Sequence, residues 1–358
     1  MALFISACQK MDGENEMEIT GEEILYFPGL ENESWLTTDP LDLGWDLDMI
    51  EELKLFLNEA DTRAFVVLKD GKIVIEHYNG RTILGGQFSR NSQWYWASAG
   101  KTLTSFLVGI AQKENFLSID DSSKEYLPGG WSSLTSEQEA RIKIFHHLSM
   151  TTGLDDKAQN GDCTSPECFL YKTEPGERWS YHNAPYTILD KVIEGATQLS
   201  FDDFFNSRLR DPIGMTGQWS YLGDNHVYFS NALSMARFGL LVLNNGKWKD
   251  RSILDGTDFI SEMIMPSQSH NKAYGYLWWL NGYSPIMLPG SQIQLQRTMS
   301  LNAPEDMFAA IGKNSQYLNI VPSKGLVIVR LGDQPDSALV PIQLQEEIWS
   351  YLNNIIPD

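Results

Sequence analysis

Ser98 and Lys101 stand three residues apart in Trp96-Ala97-Ser98-Ala99-Gly100-Lys101-Thr102-Leu103-Thr104-Ser105-Phe106, where a polar turn gives way to an apolar-periodic segment. Leu103, Phe106, Leu107 and Ile110 recur at helical spacing, which predicts an amphipathic helix over 98–113 with one face on a core. Ser98 then sits in the first turn, and Lys101 returns to the same face. A serine hydroxyl is a weak nucleophile until a neighbouring base takes its proton. A lysine becomes that base once burial brings its pKa down towards neutrality. The unpaired N–H groups of a helix start can supply half of an oxyanion hole. Spacing alone is not specific, because Ser269 and Lys272 repeat it in a polar, loop-like stretch.

Two further segments carry residues of the right type. In Pro175-Gly176-Glu177-Arg178-Trp179-Ser180-Tyr181-His182-Asn183-Ala184-Pro185-Tyr186 a loop runs into a helix, and Tyr181 and Asn183 lie two apart. A phenol there can relay a proton, and an amide can hold a substrate carbonyl or the lysine. His182, between them, is a further candidate substrate contact. Tyr-x-Asn recurs at Tyr317/Asn319 and Tyr351/Asn353, in strand and helix contexts that imply packing or solvent. In Phe308-Ala309-Ala310-Ile311-Gly312-Lys313-Asn314-Ser315-Gln316, Gly312 lets a substrate approach a strand backbone closely. The N–H of Lys313 is then a candidate second oxyanion donor, and Gly312 and Asn314 are candidate substrate contacts.

The elements that must position these groups are legible in outline. Residues 64–78 are two β-rich runs around Asp70-Gly71, a hairpin signal, and 317–330 form a second hairpin of the same kind. Helical patterns cover 48–58, 186–199, 201–209, 232–244 and 340–352. The expected class is α+β: an antiparallel sheet built from both chain ends and flanked by helices, with a mainly helical region inserted. The α/β part then covers about 24–95 and 270–356 and the helical part about 96–269, leaving a cleft at their junction.

This ordered set resembles the serine β-lactamase/penicillin-binding family, in its class C and esterase-like branch. The resemblance runs over roughly residues 60–350. It extends to His146-His147-Leu148-Ser149-Met150-Thr151-Thr152-Gly153-Leu154, Ala236-Arg237-Phe238-Gly239-Leu240-Leu241 and Tyr274-Gly275-Tyr276-Leu277-Trp278-Trp279. It implies a β-lactamase/transpeptidase-like fold and an acyl-enzyme on Ser98. Lys101 would be the activating partner, Tyr181 the second proton-transfer group and Asn183 the residue holding substrate or Lys101. The oxyanion hole would be the N–H groups of Ser98 and Lys313. Which of Lys101 and Tyr181 takes the first proton stays open. The chain departs from the family at its third motif, Lys-Thr-Gly, where two residues grip a carboxylate. Ala310 and Ile311 stand there, both apolar. Gly312-Lys313-Asn314-Ser315-Gln316 is closer to the branch of family esterases and 6-aminohexanoate-dimer hydrolases. The expected activity is therefore hydrolysis of a small ester or amide. A β-lactamase or D,D-peptidase is the first alternative, and an envelope binding or sensor protein with little turnover the second.

Other chemistries find less support. Ser98 has Gly100 after it but Trp96 before it, so a Gly-x-Ser-x-Gly elbow is only half present. His146 and His147 are adjacent, no His-Glu-x-x-His exists, and no metal or cofactor is expected. Trp278 and Trp279 read as core or cleft wall, and Asp155 and Asp156 as loop caps. The formal charge of −20 disfavours nucleic acid and anionic membranes as partners. With 42% apolar residues over 358 positions, the core can be large, and no run of eighteen apolar residues occurs. Oligomeric state is not encoded legibly.

Cys163 and Cys168 are spaced to close a small loop by a disulfide. Cys8 follows Leu3-Phe4-Ile5-Ser6-Ala7, which resembles the tail of a bacterial lipoprotein signal, with the cysteine lipidated. The basic region and most of the apolar region of such a signal are missing, so residues 1–23 read as a truncated remnant and an acidic tether. The expectation is an exported protein of the periplasm or outer membrane, touching membrane only through that anchor. A disulfide fits the same oxidising compartment.

Overall fold

The computed structural model describes residues 25–30, 35–157, 160–333 and 338–357. Cys8 and the acidic tether lie outside them. No helix among the described residues is long and apolar enough to cross a membrane.

The two hairpins read from the sequence form and join. Strands β1 (Thr62–Lys69) and β2 (Lys72–Tyr78) precede a short β3 (Trp94–Tyr95). The middle of the chain adds β4 (Gln218–Leu222), β5 (Asn225–Ser230), β6 (Lys247–Trp248) and β7 (Arg251–Ser252). The last stretch supplies β8 (Trp279–Leu280), β9 (Phe308–Gly312), β10 (Gln316–Val321) and β11 (Leu326–Gly332). The main sheet runs β2-β1-β11-β10-β9-β8, with every neighbouring pair antiparallel. The two chain ends meet inside it at the β1–β11 pair, Val66 opposite Val329. At the β1–β2 turn Asp70 and Gly71 both have positive φ, 49° and 84°, as a two-residue hairpin turn requires. A Cβ on Gly71 would stand 1.9 Å from the Tyr26 carbonyl oxygen, a second reason for glycine.

Helices cover both sheet faces, and two adjacent residues of β10 show how. Leu318 points at helix Ala232–Leu243, where a Cβ on Gly239 would stand 2.7 Å from its Cδ1. Asn319, facing the other way, accepts from Gln345 Nε2 of the C-terminal helix Ile342–Ile355 at 2.6 Å. The sheet is thus buried on both sides, which is why β9 to β11 are near-continuous buried runs rather than alternating ones. Helix α1 (Leu47–Glu59), capped by Asp46 on the Met49 N–H, packs with the C-terminal helix.

Three segments differ from the sequence reading. Helix α2 (Lys101–Lys113) is preceded by a 3₁₀ turn at Ala97–Gly100, so Ser98 lies in the turn and Lys101 begins the helix. Every residue from Lys101 to Ala111 is buried, so α2 is a central helix and not an amphipathic one. The middle region also holds more strand than expected. β3, β5 and β4 form a small sheet, with a tight turn at Gly223 (φ 62°). The helical pattern of 186–199 is divided into Asn183–Thr187 and Leu189–Thr197.

Candidate active site

The turn that presents Ser98 is held from both sides. Trp96 is fully buried, its N–H donates to the Tyr228 carbonyl at 2.8 Å, and its indole donates to Ser230 Oγ at 2.8 Å. Ala97, just before the serine, has φ 48°, a left-handed conformation that costs an alanine about 1–3 kcal/mol. Such strain persists where surrounding packing over-determines it, here through Trp96 and the end of β9. A Cβ on Gly312 would stand 2.4 Å from the Trp96 carbonyl oxygen and 3.0 Å from the Ala99 nitrogen. Only glycine lets β9 lie this close to the serine turn.

Lys101 donates from Nζ to Ser98 Oγ at 2.9 Å and is only 4% exposed. Burial pushes its pKa from 10.5 down to about 7, against an opposing pull from the Asp162 carboxylate. The ammonium lies over two aromatic rings, Tyr186 at 4.4 Å and Tyr181 at 5.3 Å. Burial pushes the Tyr181 pKa up to about 12, with the neighbouring Ser98 side chain opposing the rise. Trp279 stacks on the Tyr181 ring at 6.0 Å, and Trp179 and Tyr274 bracket it at 6.4 and 6.2 Å. Trp279 is therefore a buried support of the phenol, while Trp278 stacks on Phe238 in the core.

Ser98, Lys101, Asn183 and Lys313 line one cavity of about 270 Å³, together with Asp162, Tyr95, Tyr186 and His226. Asn183 donates to Asp162 Oδ1 at 2.7 Å, and its own amide oxygen is buried without a hydrogen-bond partner among the described residues. Asp162 adjoins the Cys163–Cys168 disulfide, whose Cα atoms are 5.9 Å apart. Asp156 and Asp155 anchor the same loop through Arg178 at 2.6 Å and Lys172 at 2.6 Å. His147 is buried between Ser123 Oγ at 2.9 Å and the Pro185 carbonyl at 2.6 Å, and burial holds it neutral with a pKa of about 4. It fixes the start of the helix that carries Asn183. His146 caps a helix start by accepting from the Lys143 N–H at 2.9 Å.

Two expected substrate contacts are placed elsewhere. His182 is 5% exposed, does not line the cavity, and is pushed down to about 4 by burial. The strand-like backbone before the Asn183 helix turns neighbouring side chains to opposite sides, so Tyr181 faces Ser98 and His182 does not. Asn314 has φ 61° in the β9–β10 turn and donates to the Tyr95 hydroxyl at 2.6 Å. It holds a cavity wall and the turn.

That turn is fixed from beneath by Arg330, a fully buried guanidinium without a carboxylate partner among the described residues. It donates to the carbonyls of Ser315 at 2.7 Å and Ala60 at 2.6 Å, and to Thr62 Oγ1 at 2.9 Å. Gln316 adds a two-way clamp on Gly332, donating at 2.6 Å and accepting at 2.9 Å. No motif marked Arg330, Asp162 or His226. Tyr186 alone lay inside a stretch singled out for chemistry.

Residues 59–339 match the Beta-lactamase family. An uncharacterized protein of Alkalihalophilus pseudofirmus is 23% identical over 297 residues, which are 74% of this chain and 81% of the relative. A solved structure from Bacillus anthracis, provisionally assigned as a 6-aminohexanoate-dimer hydrolase, superimposes with a TM-score of 0.64 at 17% identity, over 91% of this chain and 87% of its own. EstCE1, a hydrolase with promiscuous acyltransferase activity, gives a TM-score of 0.64 at 12% identity, over 87% and 99%. The family match runs through the sheet centre, the Ser98 turn and the β9 edge, and the chain belongs to the beta-lactamase family.

Proposed function

We propose that the chain is a serine hydrolase that cleaves a small ester or amide through an acyl-enzyme on Ser98. The observation that carries this reading is the buried Lys101, 2.9 Å from Ser98 Oγ and brought down to about 7. Near neutral pH a large fraction of Lys101 is unprotonated and can accept the Ser98 proton. As Oγ bonds to the substrate carbonyl carbon, that proton passes to Nζ, and the new ammonium faces the rings of Tyr186 and Tyr181. Tyr181, at about 12, stays protonated. It therefore suits delivery of a proton to the leaving oxygen or nitrogen as the carbonyl re-forms, with Lys101 restoring the phenol's proton. Water then repeats the sequence on the acyl-enzyme.

The oxyanion would sit between the N–H groups of Ser98 and Lys313, which the contact of Gly312 with the serine turn brings together. One such donor contributes about 2.7–4 kcal/mol to the transition state. Asn183, which lines the cavity and is held by Asp162, would hold the substrate through its amide. A cavity near 270 Å³ lies below the roughly 300–1,000 Å³ of usual ligand pockets and favours a small substrate.

Ala310 and Ile311 are buried in β9, and neither can grip the carboxylate of a β-lactam or peptide terminus. Lys313 on the cavity is the cation a β-lactamase or D,D-peptidase would need instead. Steady-state hydrolysis of short-chain p-nitrophenyl esters, anilides and a cephalosporin decides between these. Ester or anilide turnover that vanishes in Ser98→Ala supports the proposal. Turnover of the cephalosporin alone would shift the protein to the β-lactamase reading, and turnover that survives Ser98→Ala would refute both.

We also infer export, with lipidation at Cys8. The Cys163–Cys168 disulfide supports an oxidising compartment. Recovery of the full-length protein in the membrane fraction, lost in Cys8→Ser, tests it.

A further inference from the structure

His226, the second residue of β5, lines two cavities. One is the cavity at Ser98. The other, of about 220 Å³, is walled by Asp190, Lys191, Glu194, Asp202 and Tyr221 among others. His226 Nδ1 lies 2.8 Å from Asp190 Oδ2, and both side chains are 7% exposed. The imidazole stacks on Tyr221 at 4.3 Å and 11°, with Trp219 and Phe201 at 4.9 and 5.5 Å. Its orientation is therefore set by three rings and a carboxylate. Burial raises the Asp190 pKa, with His226 opposing the rise and Glu194 and Asp202 adding to it.

An ionised carboxylate on Nδ1 selects the Nδ1–H tautomer of a neutral imidazole and leaves a lone pair on Nε2. Nε2 has no protein partner among the described residues, and it is not sealed off as Nδ1 of His182 is. Of the two cavities Asp190 lines only the second, while His226 lines both, so the imidazole links Asp190 to the wall of the Ser98 cavity. Asp162, another acceptor, also lines that cavity.

We propose that the Asp190–His226 pair determines specificity at the Ser98 site, with His226 Nε2 accepting a hydrogen bond from a hydroxyl or N–H group of the substrate. This rests on the serine hydrolase reading given above. The substrate class follows from the wall: an ester or amide bearing hydrogen-bond donors beside the scissile bond, rather than a plain alkyl ester. A site built of buried acceptors discriminates against an analogue that leaves them unpaired.

His226→Phe keeps a ring on Tyr221 and removes Nε2. The probes are two matched pairs: p-nitrophenyl butyrate with p-nitrophenyl 3-hydroxybutyrate, and ethyl butyrate with 2-hydroxyethyl butyrate. The wild type is expected to favour the hydroxylated member of at least one pair by about tenfold in kcat/KM. In His226→Phe that preference disappears because the hydroxylated member loses more kcat/KM than the parent ester does, and loses it through KM. No preference in the wild type, or one retained in the variant, overturns the proposal. So does a parallel fall of both members with the acylation rate, which marks a merely structural histidine. ¹⁵N NMR of the imidazole adds a test independent of substrate, expecting Nδ1–H at pH 7.5; the Nε2–H tautomer would refute the proposal. Absence of any fluorophosphonate adduct on wild type would instead bring down the hydrolase reading, and this proposal with it.

Discussion

Lys101 is expected to weaken the fold it serves, and Lys101→Met makes this measurable. Folding lowers the lysine pKa from 10.5 to about 7 through burial. The native state then binds this proton less well than the unfolded chain does, so stability rises with pH between about 7 and 10.5. Below pH 7 both states hold the proton, and the full penalty of roughly 5 kcal/mol is present. At pH 9 about 2 kcal/mol of it remains, a recovery of about 3 kcal/mol. Methionine has a similar length and no charge, so Lys101→Met removes the penalty. It leaves Ser98 Oγ short of the 2.9 Å partner, which costs about 1 kcal/mol. The variant should therefore be more stable than wild type by about 4 kcal/mol at pH 6 and by about 1 kcal/mol at pH 9, while losing acylation. Urea unfolding of both proteins at the two pH values gives the comparison. A variant less stable than wild type at pH 6, or a difference that does not shrink with pH, would refute the account of the site as a desolvated lysine.

Other outcomes follow from the same geometry. Fluorophosphonate acylation of wild type should rise with pH through about 7, as Lys101 loses its proton. Asp162→Asn should move that inflection to lower pH, because the carboxylate raises the lysine; a shift upward would contradict the assignment. Gly312→Ala would place a methyl 2.4 Å from the Trp96 carbonyl oxygen and push β9 off the serine turn. Acylation is then expected to fall about 10²-fold or more with circular dichroism unchanged, the scale of a lost oxyanion donor. Arg330→Met would orphan the carbonyls of Ala60 and Ser315, costing about 3 kcal/mol in urea unfolding; a neutral result would show that the turn does not need its anchor.

Much of the site was legible because its chemistry is local. Ser98 lies in the 3₁₀ turn that runs into the helix begun by Lys101, and Tyr181 lies just before the helix begun by Asn183, so short spacing relates each pair. The two hairpins were legible for the same reason, since each is a pair of β-rich apolar runs around a short turn, Asp70-Gly71 in the first. Three features depend on contacts distant in sequence and left no pattern. Asp162 reaches the site from a loop tied by Cys163–Cys168 and by Arg178 with Asp156. Arg330 is a lone charge in a strand, and only the pairing of β11 with β1 and β10 puts Ala60 and Ser315 around it. His226 lies in the β4–β5 hairpin, whose polar, tyrosine-rich sequence gave no strand signal. His182 and Asn314 do not line the cavity, because alternation and a left-handed turn set their side chains, details that residue type does not carry.

The most direct test of the central claim is intact mass after incubation with a fluorophosphonate, beside a penicillin, on wild type and Ser98→Ala, with peptide mapping of any adduct. The account predicts one fluorophosphonate adduct per wild-type chain, mapped to Ser98, absent in Ser98→Ala, and no stable penicillin adduct. Labelling that persists in Ser98→Ala, or wild type that stays unlabelled at pH 8 where Lys101 is mostly neutral, would contradict it.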